Sequence, residues 1–284
     1  MSEYCHIADN PSYFCRMKTV ILFVTMLFLL GCRNVSDKNT INKDSLLKLP
    51  AELQLAYADV LKYPDSIELK KSFINSLDSA KLYKYIVEPL DQLIKNDSLN
   101  HLLWIKKAQL YENLKDSIAA KKYYQYSINI YPTPAAMLGL ANLLAEQKDS
   151  SALIVCTNAK TLFQEKENHA DIYFIQGVYY VRKGNTLKAN QYFDSCINAN
   201  YRYFEAFMEK GFILFDNSKY KDALAIFETI LKLDPFYADA YYWSAKCFEN
   251  MGNFEAAKLN FEKAVNIDPE LIEATKAFNK LQQK

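Results

Sequence analysis

Few residues of this chain have the types and spacing that chemistry demands. Its three histidines, His6, His101 and His169, have no partner at the spacing of a metal site or a nucleophile–base pair. Six glycines in 284 residues leave no glycine-rich loop to cradle a phosphate. Asp-Ser pairs recur at 44–45, 65–66, 97–98, 116–117 and 149–150. They stand at turns and helix starts, where the side-chain oxygen accepts an orphan backbone N–H and caps the helix. The expectation is a chain that is not an enzyme and needs no metal or small-molecule cofactor. One thiol stands apart, because Cys32 directly follows Leu29-Leu30-Gly31 at the end of an apolar run. Chemistry there would be covalent modification of the sulfur.

That run, TVILFVTMLFLL from Thr19 to Leu30, is preceded by Arg16 and Lys18 and followed by Arg33 and Asn34. It is shorter than the roughly 20 apolar residues that a spanning helix needs. A short apolar core behind cationic residues is the pattern of a secretory signal. The sequence LLGC at its end resembles the bacterial lipobox, in which the cysteine is acylated and the chain is cleaved just before it. The resemblance implies a mature protein beginning at lipidated Cys32. Multiple acylation would hold it stably, since one acyl chain gives only marginal membrane binding. Residues 1–16 then read as a start-site artefact ahead of Met17, and 17–31 as the removed signal. Residues 32–48 read as the lipidated cysteine and a polar, flexible tether. The expected location is the bacterial envelope, on the outer membrane.

The remaining composition is that of an ordinary folded protein, with 50% apolar and 24% charged residues. Lysine plus arginine (34) nearly balances aspartate plus glutamate (33), and no basic stripe is readable, so no nucleic-acid partner is expected. Cys156, Cys196 and Cys247 are odd in number and far apart, which argues for buried apolar thiols over a disulfide framework.

The elements that must position any site come from an internal repeat. Residues 240–269 align without a gap on 206–235, an offset of 34, and 172–201 lie one further step back. Two upstream copies occupy 102–132 and 135–163; the second is one residue shorter in its turn and is followed by an insertion around Glu165–His169. Position 4 of the copies is Trp104, Met137, Tyr173, Phe207 and Tyr241, and position 8 is Ala108, Ala141, Gly177, Gly211 and Ala245. Position 20 is always alanine: Ala120, Ala152, Ala189, Ala223 and Ala257. Position 24 is Tyr124, Cys156, Phe193, Phe227 and Phe261. Positions 4, 8 and 11 make one stripe of a first helix, and 20, 24 and 27 one stripe of a second. Small residues at 8 and 20 let the helices approach while bulky ones fill the space around them.

Period and residue types resemble the tetratricopeptide repeat over residues 101–269. The expected fold is all-α: tandem helix-turn-helix repeats stacked into a right-handed superhelical solenoid. Repeats are expected at 101–133, 134–166, 170–203, 204–237 and 238–269, with a capping helix at 270–284. Residues 49–98 are expected to form N-terminal helices and a degenerate repeat, with Pro89 breaking or kinking the stretch from Ile67 to Leu93.

The resemblance also implies that positions 2, 5, 9 and 12 of each first helix line a concave, peptide-binding surface. In the last three repeats these are Asp171, Phe174, Val178 and Val181; Glu205, Met208, Phe212 and Phe215; and Asp239, Tyr242, Lys246 and Glu249. They read as an apolar trough with an acidic edge. The acids also suit helix N-termini, and the aromatics also suit packing between repeats. The basic set with which one subtype clamps carboxylate tails is missing, for Asn142 and Lys246 alone do not make it. The expected function is a lipid-anchored scaffold for a protein or peptide partner; the alternative is a glycan- or nutrient-capturing surface lipoprotein.

Overall fold

The computed structural model describes residues 48–164 and 167–282. The signal segment, Cys32 and the tether up to residue 47 lie outside the described residues. Among the described residues there are fourteen α-helices, one 3₁₀ turn and no strand. The chain is an all-α helical repeat solenoid. It divides into two units at Asn96 and Asp97.

The first unit holds α1 (Ala51–Lys62), α2 (Ile67–Ser79), a 3₁₀ turn (Tyr83–Tyr85) and α3 (Val87–Asn96). The Ser66 side chain caps α2 by accepting from the Leu69 N–H. Helix α2 ends in a Schellman motif: Lys81 takes φ +56°, and Leu82 N–H donates to the Leu77 carbonyl. This corrects the expectation for Pro89. The chain breaks at 80–86, and Pro89 sits in the first turn of α3, where a missing N–H leaves no helical bond unmade. Phe73, Leu77, Ile86 and Leu90 form the buried centre of this unit.

The second unit contains five hairpins and a last helix. The hairpins are α4 (His101–Asn113) with α5 (Ser117–Ile130), α6 (Pro134–Glu146) with α7 (Ser151–Leu162), and α8 (Glu167–Arg182) with α9 (Thr186–Ala199). They continue with α10 (Phe204–Asp216) and α11 (Tyr220–Leu233), α12 (Ala238–Asn250) and α13 (Phe254–Ile267), and end on α14 (Ile272–Gln282). Each first helix closes with the same Schellman motif, its left-handed residue being Lys115, Lys148, Gly184, Ser218 or Gly252, all at position 15. The next residue then caps the second helix with its side chain in three hairpins: Asp116, Asn185 and Asn253. One residue thereby serves two helix ends. In the second hairpin Asp149 accepts from Ser151 N–H, and the Ala152 N–H reaches Asp149 three residues back. The corresponding bonds elsewhere reach four back, as from Ala120 to Asp116, so the shorter turn is absorbed as a tighter first turn.

The repeat positions pack as their residue types require. Ala120, Ala152, Ala189, Ala223 and Ala257 are buried, as are Tyr124, Cys156, Phe193, Phe227 and Phe261. A Cβ added to Gly177 would lie 2.4 Å from the Phe193 ring, and one on Gly211 would lie 2.3 Å from Phe227. The position-24 ring therefore rests directly on the backbone at position 8. Cys156, Cys196 and Cys247 are free and buried, and burial pushes each thiol up to about 12.

The insertion before the third hairpin is taken up by lengthening a helix. Helix α8 starts at Glu167 and runs for 16 residues, against 13 for the other first helices. His169 therefore lies in its first turn, ahead of the residues that carry the repeat pattern.

Candidate functional site

The face made by the first helices of the later hairpins gathers most of the residues singled out for binding, but not as an open trough. Val178 and Met208 are only 3% and 6% exposed. They are core residues, covered by neighbouring hairpins, and this corrects their assignment to the lining. Phe174, Val181, Phe212, Phe215 and Tyr242 are half-buried.

Two rings outside the 2-5-9-12 stripe occupy much of the space between them. Tyr203, in the turn before α10, lies 5.1 Å from Phe174, and its hydroxyl donates to Asp171 Oδ1 at 2.8 Å. Trp243, at position 6 of α12, lies 4.7 Å from Phe212 and 5.3 Å from Phe215, and Tyr242 meets it edge-on at 5.5 Å. Aromatic pairs at these separations stabilise beyond their burial alone. Phe212 and Phe215 are thus joints between hairpins as well as surface.

The acids divide in the same way. Asp171 is held by Tyr203. Glu205 and Asp239 are in the first turns of α10 and α12, helices whose N-caps, Tyr203 and Tyr237, make no side-chain cap bond. A carboxylate there complements the free N–H groups and the helix dipole. Packing around Asp239, and then the charge of Asp268, hold its carboxyl above the ordinary range. Burial raises the Tyr237 phenol, and the charges of Glu205, Asp239 and Asp234 add to the rise. At the far end of the stripe Lys246 is paired with Glu249 at 2.6 Å.

A charged band that the stripe omitted crosses three first helices. Arg182 on α8 donates two hydrogen bonds to Glu146 on α6, at 2.7 and 3.0 Å. Glu209 on α10 has its carboxyl raised by burial, with the Arg182 charge opposing that rise. Glu146 and Arg182 occupy position 13 of their repeats, and Glu209 occupies position 6. A helix turns once in 3.6 residues, so position 6 adjoins 2 and position 13 adjoins 9. Widening the stripe by one residue on that side would have found them. The arrangement offers salt bridges and apolar contacts; among the described residues no three metal-ligating side chains come together.

Comparisons with known proteins agree with this architecture. Residues 102–134 and 214–277 each match a model described as tetratricopeptide repeat. Sperm-associated antigen 1 of Mus musculus is 36% identical over 72 residues, which is 25% of this chain and 8% of that protein. The chain thus spans less than a tenth of the length of that relative. Among solved structures, a tetratricopeptide repeat protein from Parabacteroides merdae superposes with a TM-score of 0.64 at 15% identity, over 86% of this chain and 94% of that one. A thermophilic protein of the same repeat type from Thermus thermophilus gives 0.52 at 16% identity, over 65% and 100%. At such identities the likeness is one of fold.

Proposed function

We propose that this chain is a lipid-anchored interaction scaffold of the bacterial envelope, and that its first-helix face receives a peptide or protein segment carrying positive charge beside apolar side chains. The observation that carries the reading is the placement of Glu205 and Asp239 in the first turns of neighbouring first helices, on the same face as the half-buried rings of Phe212, Phe215 and Tyr242. Acids at the rim steer a basic segment and set its register, while the partly open rings supply apolar contact. The fold supports the reading, because stacked hairpins present an extended face with little rearrangement. The LLGC pattern supports the anchor, and Cys32 is its attachment residue.

Crosslinking in cells, followed by identification of the captured protein, tests the scaffold role. Glu205→Lys with Asp239→Lys is the informative variant, because both stand in first turns and reversal of charge leaves the packed rings alone. Capture should fall sharply at low salt, since exposed charges are screened within about 8 Å at physiological ionic strength. Unchanged capture at low salt would place the partner elsewhere. The anchor is tested separately: mass spectrometry should find acylation at Cys32, and Cys32→Ala should leave an unprocessed or released form.

A further inference from the structure

The first unit contains a cavity whose lining combines opposite charges with an apolar wall. It measures about 120 Å³ and lies among α1, α2 and α3, walled by Val60, Phe73 and Pro89. Four polar residues line it: Tyr57, Lys70, Glu88 and Gln92. Lys70 is only 5% exposed. Among the described residues, neither Lys70 nor Glu88 has an ion pair or a side-chain hydrogen bond. The two charges therefore face one cavity without closing on each other.

The origin of the cavity is readable in the repeat register. Laying the start of α2 on the start of α5 puts Ser66 on Asp116 and Lys70 on Ala120, the alanine of position 20. The same backbone bond marks both sites, from Lys70 to Ser66 and from Ala120 to Asp116. Laying the end of α1 on the end of α4 puts Tyr57 on Ala108, the small residue of position 8. The two positions that elsewhere bring the helices together are here a tyrosine and a lysine. Two long side chains thus replace the small pair, and both residues line the cavity.

A lysine kept to the surface for solubility extends its ammonium into water and remains substantially exposed. Lys70 does not. An ammonium on a largely buried stem with no ion pair is open to a carboxylate, which would pair with it at the cavity. Glu88 is half-buried on the same cavity and offers an acceptor for a cation, and its charge acts on the Tyr57 hydroxyl. A single ligand that carries both charges a short distance apart answers both residues. The apolar wall requires a side chain between them. An engineered cavity of about 150 Å³ accommodates benzene, so this one suits a branched aliphatic group and excludes an indole.

We propose that the cavity between α1, α2 and α3 is a binding site for a small free amino acid with an aliphatic side chain, its carboxylate on Lys70, its ammonium on Glu88 and its side chain against Val60, Phe73 and Pro89. The Tyr57 hydroxyl and the Gln92 amide are placed to complete the polar contacts. This site is separate from the first-helix face and does not depend on the scaffold reading.

The test is calorimetric titration of the full chain with L-valine, valinamide, N-acetylvaline, 3-methylbutanoate and L-tryptophan. Valine should bind saturably. Valinamide should bind about tenfold or more weakly, because Lys70 then loses its charged acceptor. N-acetylvaline and 3-methylbutanoate should both bind more weakly than valine, for want of the ammonium, and tryptophan should not compete. Lys70→Met should retain its helical circular dichroism and lose valine binding by about tenfold or more. Glu88→Gln should weaken valine while sparing 3-methylbutanoate. Valine and valinamide binding alike in the unaltered protein would overturn the proposal whatever the variants do. So would the absence of saturable heat with every probe at millimolar concentration, or unchanged valine binding by a folded Lys70→Met protein.

Discussion

The first hairpin and the five that follow are built from helices of similar length, yet their helix-contact positions carry different residues. In the repeats, alanine at position 20 meets alanine or glycine at position 8, and the ring at position 24 settles on the backbone beside them. In the first hairpin the corresponding residues are Lys70 and Tyr57, and a cavity of about 120 Å³ remains. Helix formation is therefore not what separates the two regions. The difference is whether the contact positions are small enough for two backbones to approach, because interiors are stabilised by close packing and not by apolar content alone.

Moving the first hairpin's feature into a repeat should break the comparison most severely. Ala223 is fully buried, so Ala223→Lys combines overpacking with an unpaired buried charge. It should lower stability by about 3 kcal/mol or more in urea denaturation. A loss near zero would mean that position 20 is not a close contact. Phe212→Ala comes next, at about 2–3 kcal/mol, because that ring touches both Trp243 and Phe227. The same measurement on Glu205→Lys should show a loss of only about 0.5–1 kcal/mol, the cost of a cation at a helix N-terminus, which separates packed from open members of the face.

The reverse substitution sharpens the comparison from the other side. Without ligand, Lys70→Met should stabilise the first unit by about 1 kcal/mol, since an apolar chain of similar volume replaces a largely buried lysine that makes no ion pair. Hydrogen exchange across residues 51–96 would register the gain, and faster exchange there would contradict it. A smaller effect belongs to the turns. Lys148 occupies the left-handed region at φ +60°, where glycine already stands in two sister hairpins. Lys148→Gly should stabilise by about 0.5–1 kcal/mol, read from the thermal midpoint.

The smallest expected effect is a change of slope with pH. Burial raises the Glu209 carboxyl above its ordinary 4.5. A carboxyl raised on folding binds its proton more tightly in the native state, so its contribution is full below 4.5 and is lost as pH rises through the elevated value. Glu209→Gln should flatten that decline between about pH 4 and neutrality, in thermal unfolding followed at a series of pH values. An unaltered slope would show that Glu209 titrates as it does in the unfolded chain.

The number of hairpins, their register and their turn chemistry were legible in the sequence because each depends on local spacing. An alanine recurring every 34 residues marks a repeated close contact, and Asp, Asn or Gly after a first helix marks its end. The sequence also showed which side of a first helix each candidate faces. Only the tertiary structure decided which of them reach solvent. Val178 and Met208 share their stripe with Phe212 and Phe215, yet the first two are core and the others are half-open. Tyr203 and Trp243 hold the space between them from outside the stripe. Helical period sets the angle of a side chain about its own axis. How far a neighbouring hairpin covers that side chain depends on the volumes of residues a whole repeat away, and no local pattern contains them. The cavity of the first unit follows the same rule: Lys70 reads as an ordinary exposed helix residue until the register of five later alanines shows that it stands where helices should touch.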